Sequence, residues 1–121
     1  MNKGIKHATG DWINFLNCGD LYASDSALEA IVTSEEASNA DIVYGNSIEI
    51  TPNFNRPIDA HANVSLMEYA PVFRHGSSLI RTSIQKHTPF DLAYKEKYGY
   101  ELDWHMIHKV YKAGYRFKKT D

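Results

Sequence analysis

Two acids and the apolar segments beside them carry the chemistry this chain offers. The first is Asp20, which closes the tetrapeptide Asn17-Cys18-Gly19-Asp20 directly after the run Trp12-Ile13-Asn14-Phe15-Leu16. That run is aromatic or aliphatic except at Asn14, the pattern of a strand buried on both sides of a mostly parallel sheet. Ligands of such sheets sit beyond the carboxyl ends of the strands, which puts residues 17–20 where chemistry is found. The same four residues are ordinary turn formers, so their types alone leave both readings open. The second acid is Asp103. It lies three and four residues from Met106 and Ile107, beside the apolar row Leu102, Met106 and Val110, on the core-facing side of a helix start. An acid there is either a helix cap or a site residue, with Glu101 as the alternative acid two residues earlier.

Other reactive side chains carry weaker signals. Cys18 is the one cysteine of the chain and reads as a small filler in the turn rather than a nucleophile. His105 and His108 are three apart, but no third ligand follows at a suitable spacing, so a solvated helix face is expected. Arg81 has the fork geometry to meet a phosphate with two parallel bonds, or to serve a structural ion pair. Trp12, Phe15, Trp104, Tyr111 and Phe117 read as core aromatics. Tyr94, Tyr98 and Tyr100, close to Asp103 in sequence, offer aromatic faces to a ligand bound there.

The elements that must position these groups can be placed from pattern. Asn2 to Thr9 reads as a short helix closed by Gly10, followed by a strand over 11–16. Leu28, Ile31 and Val32 have helical spacing within 25–37, and Ser26-Ala27-Leu28-Glu29 has the form of a capping box. Residues 41–50, rich in Ile, Val and Tyr, read as one strand ending at Thr51-Pro52. Residues 52–63 read as a loop long enough to act as a flap. A short strand over 77–80, a helical turn over 81–87 stopped by Pro89, a helix over 102–113 ended by Gly114, and a last strand over 115–118 complete the order.

Composition narrows the class. With 121 residues, 43% of them hydrophobic, the chain is one domain able to bury a core. A net charge of −2 gives no reason to expect nucleic-acid binding, and a single cysteine excludes an intrachain disulfide. No segment approaches a membrane span and no signal peptide is visible, so a cytoplasmic protein, or one peripheral to the membrane, is expected.

The ordered series Asn2-Lys3-Gly4-Ile5, Ala8-Thr9-Gly10, the apolar run and the acidic motif resembles family-2-type glycosyltransferases with the GT-A fold. The resemblance continues through residues 40–45, His75-Gly76-Ser77-Ser78-Leu79-Ile80-Arg81, Pro89-Phe90-Asp91 and Leu102-Asp103-Trp104 to Gly114-Tyr115-Arg116-Phe117. It implies an α/β fold, a partial GT-A mixed sheet flanked by helices, forming a single domain over 1–121. It further implies an inverting, metal-assisted transfer of a sugar from a nucleotide-sugar donor to a carbohydrate or lipid-linked acceptor, in surface polysaccharide or glycoconjugate synthesis. In that reading Asp103 is the catalytic base, and Asp20 holds Mg²⁺ or Mn²⁺ with Asn17 as a neutral ligand. His75 faces acceptor or diphosphate, and Arg81 joins the donor-binding set.

Two departures follow from the same comparison. The acidic motif reads Asn-x-Gly-Asp in place of Asp-x-Asp, which leaves Asp20 its only acid. Met1 aligns with an internal position of the family, so the chain is expected to be the C-terminal portion of a larger transferase, inactive by itself. Its strand at 12–16 then has an unpaired edge, which favours a homo-oligomer. The competing expectation is a non-catalytic orphan half-domain that binds carbohydrate or a partner protein.

Overall fold

A computed structural model describes residues 1–99 and 101–120; Tyr100 lies outside the described residues. The chain runs through α1 (Asn2–His7), β1 (Trp12–Ile13), α2 (Ala27–Val32), α3 (Glu35–Ser38), β2 (Ile42–Tyr44), β3 (Ser47–Ile50) and β4 (Asn55–Ile58). After two 3₁₀ turns at Val64–Glu68 and His75–Ser77 come β5 (Ser78–Arg81), α4 (Thr82–His87), α5 (Leu92–Tyr98), α6 (Leu102–Lys112) and β6 (Phe117–Lys119). The main sheet has the order β1-β5-β2-β6. β5 is antiparallel to both β1 and β2, whereas β2 and β6 are parallel. The sheet is therefore mixed, with β5 alone reversed. The carboxyl ends of β1, β2 and β6 and the start of β5 all meet at one end.

Alternation along the strands divides the core in two. Ile13, Ile42, Tyr44, Ile80 and Phe117 face one way and pack with Met106, Ile107 and Val110 of α6. Val43 and Leu79 face the other way, against Ala37 and the α2 residues Leu28 and Ile31, with Trp12 at their margin. The register pairs Ile13 with Ile80, Ile80 with Ile42, and Ile42 with Phe117, a continuous apolar row across all four strands.

Several elements depart from the pattern reading, each for a local reason. The first strand ends at Ile13 and lies at the sheet edge, because the side chain of Asn14 binds the carbonyls of Gly76 and Ser78 and the chain then turns away. Leu16 is consequently 40% exposed. The helix expected over 25–37 breaks in two. The hydroxyls of Thr33 and Ser34 bond to the carbonyls of Glu29 and Ile31 and close α2, and Ser34 then caps α3 through the amide of Ala37. Ser26 precedes α2 without any side-chain cap bond, so the capping box does not form.

The expected strand over 41–50 is likewise two strands, separated at Gly45 and Asn46. β3 folds back on β4 as a hairpin, so the expected loop contains a strand, with Pro57 in this two-stranded ribbon. The α5 helix had no strong periodic signal. Asp91 caps it by accepting from the amides of Ala93 and Tyr94.

Candidate active site at the carboxyl end of β1

The site is assembled where β1, the start of β5 and the start of α6 converge. Beyond β1 the chain forms a tight turn in which the amide of Asp20 donates to the carbonyl of Asn17 at 3.0 Å. Gly19 occupies the third position at φ +93°, a conformation L side chains rarely adopt. Asn17, Cys18 and Asp20 are all exposed, so the turn presents its carboxylate to solvent. Asp20 nevertheless has a defined neighbour. A Cβ placed on Gly76 would stand 3.8 Å from Asp20 Oδ2 and 3.7 Å from the carbonyl oxygen of Phe15. The missing side chain at Gly76 leaves space beside the carboxylate.

His75 opens the 3₁₀ turn that leads into β5. Its ring packs against Phe15 at 5.3 Å and edge-on to Phe90 at 5.8 Å, and Ser78 Oγ donates to its carbonyl at 2.7 Å. Phe90 is fixed by a reciprocal pair of bonds with Asn2, in which the side-chain amide donates to the Phe90 carbonyl and accepts from its amide. Burial among these rings holds the imidazole below its ordinary pKa, and the charge of Asp103 partly opposes that shift. The imidazole is thus neutral near pH 7, with one ring nitrogen a donor and the other an acceptor.

Asp103 stands in the first turn of α6, half-buried, and one carboxylate oxygen accepts from the amide of Trp104 at 2.8 Å. It is not the cap. That position belongs to Glu101, the one non-glycine residue with positive φ among those described, at φ 72° and ψ 35°. A left-handed glutamate at the mouth of a helix is a strained feature of the kind that clusters at functional sites.

The fold thus gathers Asn17, Asp20, His75 and Asp103, from three separate segments, at one end of the sheet. Arg81 is not among them. It lies at the opposite end of β5, its guanidinium 3.8 Å above the Trp12 ring and bonded to the carbonyl of Ala37 at 3.0 Å. His105 departs from the expected solvated face: its ring stacks on Tyr94 at 3.8 Å and 11°, its Nδ1 is buried without a partner among the described residues, and burial lowers its pKa. Tyr98, by contrast, is 60% exposed beside Tyr94. Cys18 is a free, exposed thiol. Pattern reasoning overlooked Asn14, Tyr22 and Phe90 as builders of the site. The lone polar residue in the apolar run was the available signal.

No group of three or more His, Cys, Asp or Glu suited to a metal occurs among the described residues. The donor chemistry at Asp20, one exposed carboxylate with Asn17 nearby and open space at Gly76, still fits a hard cation that keeps waters and shares substrate phosphates. No described helix is long and apolar enough to cross a membrane.

The family description "Glycosyl transferase family 2" matches residues 1–112. Two relatives, both named PGL/p-HBAD biosynthesis glycosyltransferase, come from Mycobacterium bovis (strain BCG / Pasteur 1173P2) and Mycobacterium tuberculosis (strain ATCC 25177 / H37Ra). Each is 38% identical over 55 residues, which is 45% of this chain and 22% of the relative. The match therefore spans less than a quarter of the relatives' length. No solved structure matches the chain.

Proposed function

Because the chain belongs to glycosyl transferase family 2, we propose that its site serves an inverting transfer of sugar from a nucleotide-sugar donor to an acceptor hydroxyl. The observation that carries this reading is that Asp20 lies beside Gly76 while the charge of Asp103 reaches the neighbouring His75, although 55 and 28 residues of chain separate Asp20, His75 and Asp103 in turn. In the step proposed, the acceptor oxygen attacks the anomeric carbon from the face opposite the diphosphate, and the bond from that carbon to the leaving oxygen breaks. Asp103 takes the hydroxyl proton, which its half-buried place at the helix start suits. The neutral His75 would offer the N–H of its protonated ring nitrogen to the acceptor or the diphosphate.

Asp20, with Asn17, would hold Mg²⁺ or Mn²⁺. When bound, that ion supplies positive charge beside the leaving diphosphate. Arg81 is left out of this set, since Trp12 and Ala37 already engage it at the far end of β5. The relatives' names, which place them in PGL/p-HBAD biosynthesis, support a biosynthetic role. We extend that to assembly of a surface polysaccharide or glycoconjugate on a carbohydrate or lipid-linked acceptor, by a cytoplasmic or membrane-peripheral protein. The outer edge of β1, without a partner strand among the described residues, would pair with a second copy.

Titration with Mn²⁺ and a nucleoside diphosphate, followed by paramagnetic broadening of amide signals, tests the reading. Broadening centred on residues 17–20 and 75–77, and lost in Asp20→Ala, is expected. Broadening centred elsewhere, or none, would favour a non-catalytic domain that binds carbohydrate or a partner protein.

A further inference from the structure

We propose that Asn14 and Tyr22 form a clamp that holds the Asp20 loop in register with the His75 turn, making both positioning residues for the site. The proposal rests on the reading of Asp20 and His75 given above. Asn14 Nδ2 donates to the carbonyls of Gly76 at 3.0 Å and Ser78 at 2.8 Å. Two carbonyl oxygens can face only the NH₂ group, so the orientation of the amide is fixed by its partners. Its oxygen then accepts from the hydroxyl of Tyr22 at 2.8 Å. One side chain thereby joins three strands of chain: the end of β1, the turn before β5 and the return of the loop at Tyr22.

The loop has little else to hold it. Among the described residues, positions 15–21 make no hydrogen bond outside their own stretch, only the internal bond from Asp20 to Asn17. Leu16 is 40% exposed and Leu21 85% exposed, so packing of these two contributes little. Phe15, against His75 and Phe90, is the one apolar anchor of the stretch. The bond from Tyr22 to Asn14 closes the loop at its base, with the 17–20 turn at its tip. A carboxylate that must share an ion with a substrate diphosphate is useful only if its distance from the His75 turn is set beforehand. The Asn14 amide sets that distance through both carbonyls that flank Ser77.

Two variants separate this role from space filling. Asn14→Asp keeps the shape but replaces both donors by a carboxylate facing two carbonyl oxygens, and Tyr22→Phe removes only the closing bond at a residue 41% exposed. Backbone ¹⁵N relaxation of the 121-residue chain reads loop order directly. Affinity for Mn²⁺ with uridine diphosphate, by electron paramagnetic resonance, reads the consequence at Asp20. In both variants the order parameters of residues 17–20 are expected to fall from about 0.8 to below about 0.6. The affinity is expected to fall about tenfold or more, while the melting temperature of Tyr22→Phe stays within about 3 °C of the parent. If Asn14→Asp does not fold, Tyr22→Phe decides alone. Unchanged loop order overturns the clamp, whatever happens to affinity. A loop that loosens in a protein whose parent takes up no Mn²⁺ with the diphosphate upholds the clamp and removes the metal role of Asp20.

Discussion

At the scale of single residues, the groups proposed to address substrate stand apart from groups that hold the fold. Arg81 belongs to the second kind, through the Trp12 ring and the Ala37 carbonyl. Replacing it by Met, in Arg81→Met, should cost about 1–2 kcal/mol in urea unfolding and leave uptake of Mn²⁺ with a nucleoside diphosphate unchanged. A loss of uptake at unchanged stability would return Arg81 to the donor-binding set. Asp20 and Asp103 stood out in sequence through the family resemblance, since their types and neighbours alone left turn, cap and site readings open. Asn14 was visible only as an interruption of an apolar run. Its partners lie 62 and 64 residues away, and no local pattern encodes a bond across that separation.

At the scale of elements, caps and titratable contacts decide where helices begin and how they respond to acid. Ser34 accepts from the amide of Ala37, whereas Ser26 makes no cap bond. Ser34→Ala should therefore destabilise by about 1 kcal/mol and Ser26→Ala by less than about 0.5 kcal/mol, as measured by thermal unfolding. Equal effects would contradict the break between α2 and α3. Sequence located the helical region but not the break, because Thr33 and Ser34 fit a helix by spacing. They end it by bonding to the preceding turn.

Burial lowers the pKa of both His75 and His105. As pH falls, the unfolded chain takes up these protons before the folded one does. Their contribution to stability is thus full above about pH 6.5 and is lost progressively below it. Asp41 is shifted the same way by its ion pair with Arg116, so its contribution is full above about pH 3.9 and is lost only under stronger acid. Urea midpoints measured from pH 8 to pH 3 should show a decline beginning near pH 6.5. His105→Phe, which keeps a ring against Tyr94 without a titratable nitrogen, should flatten that decline; an unchanged slope would remove His105 from it.

At the scale of the whole molecule, the order of elements was largely legible, because apolar periodicity and the Gly and Pro stops mark their ends. The mixed sheet was legible only through the family resemblance, since a two-residue edge strand leaves no periodic trace. Among the described residues, β1 ends the sheet with one edge unpaired. Sedimentation at tens of micromolar, roughly, should show self-association through that edge; a clean monomer would contradict it. The proposed mechanism turns on the acid in the first turn of α6 taking the acceptor's proton. It is tested most directly by turnover of a nucleotide sugar in the transferase carrying these residues, compared with its Asp103→Asn variant and with Glu101→Gln as control. A loss on the order of 10² to 10⁴ in kcat is expected for Asp103→Asn with melting temperature retained, and a much smaller loss for Glu101→Gln. Unchanged turnover in Asp103→Asn, or the large loss falling on Glu101→Gln, would contradict it.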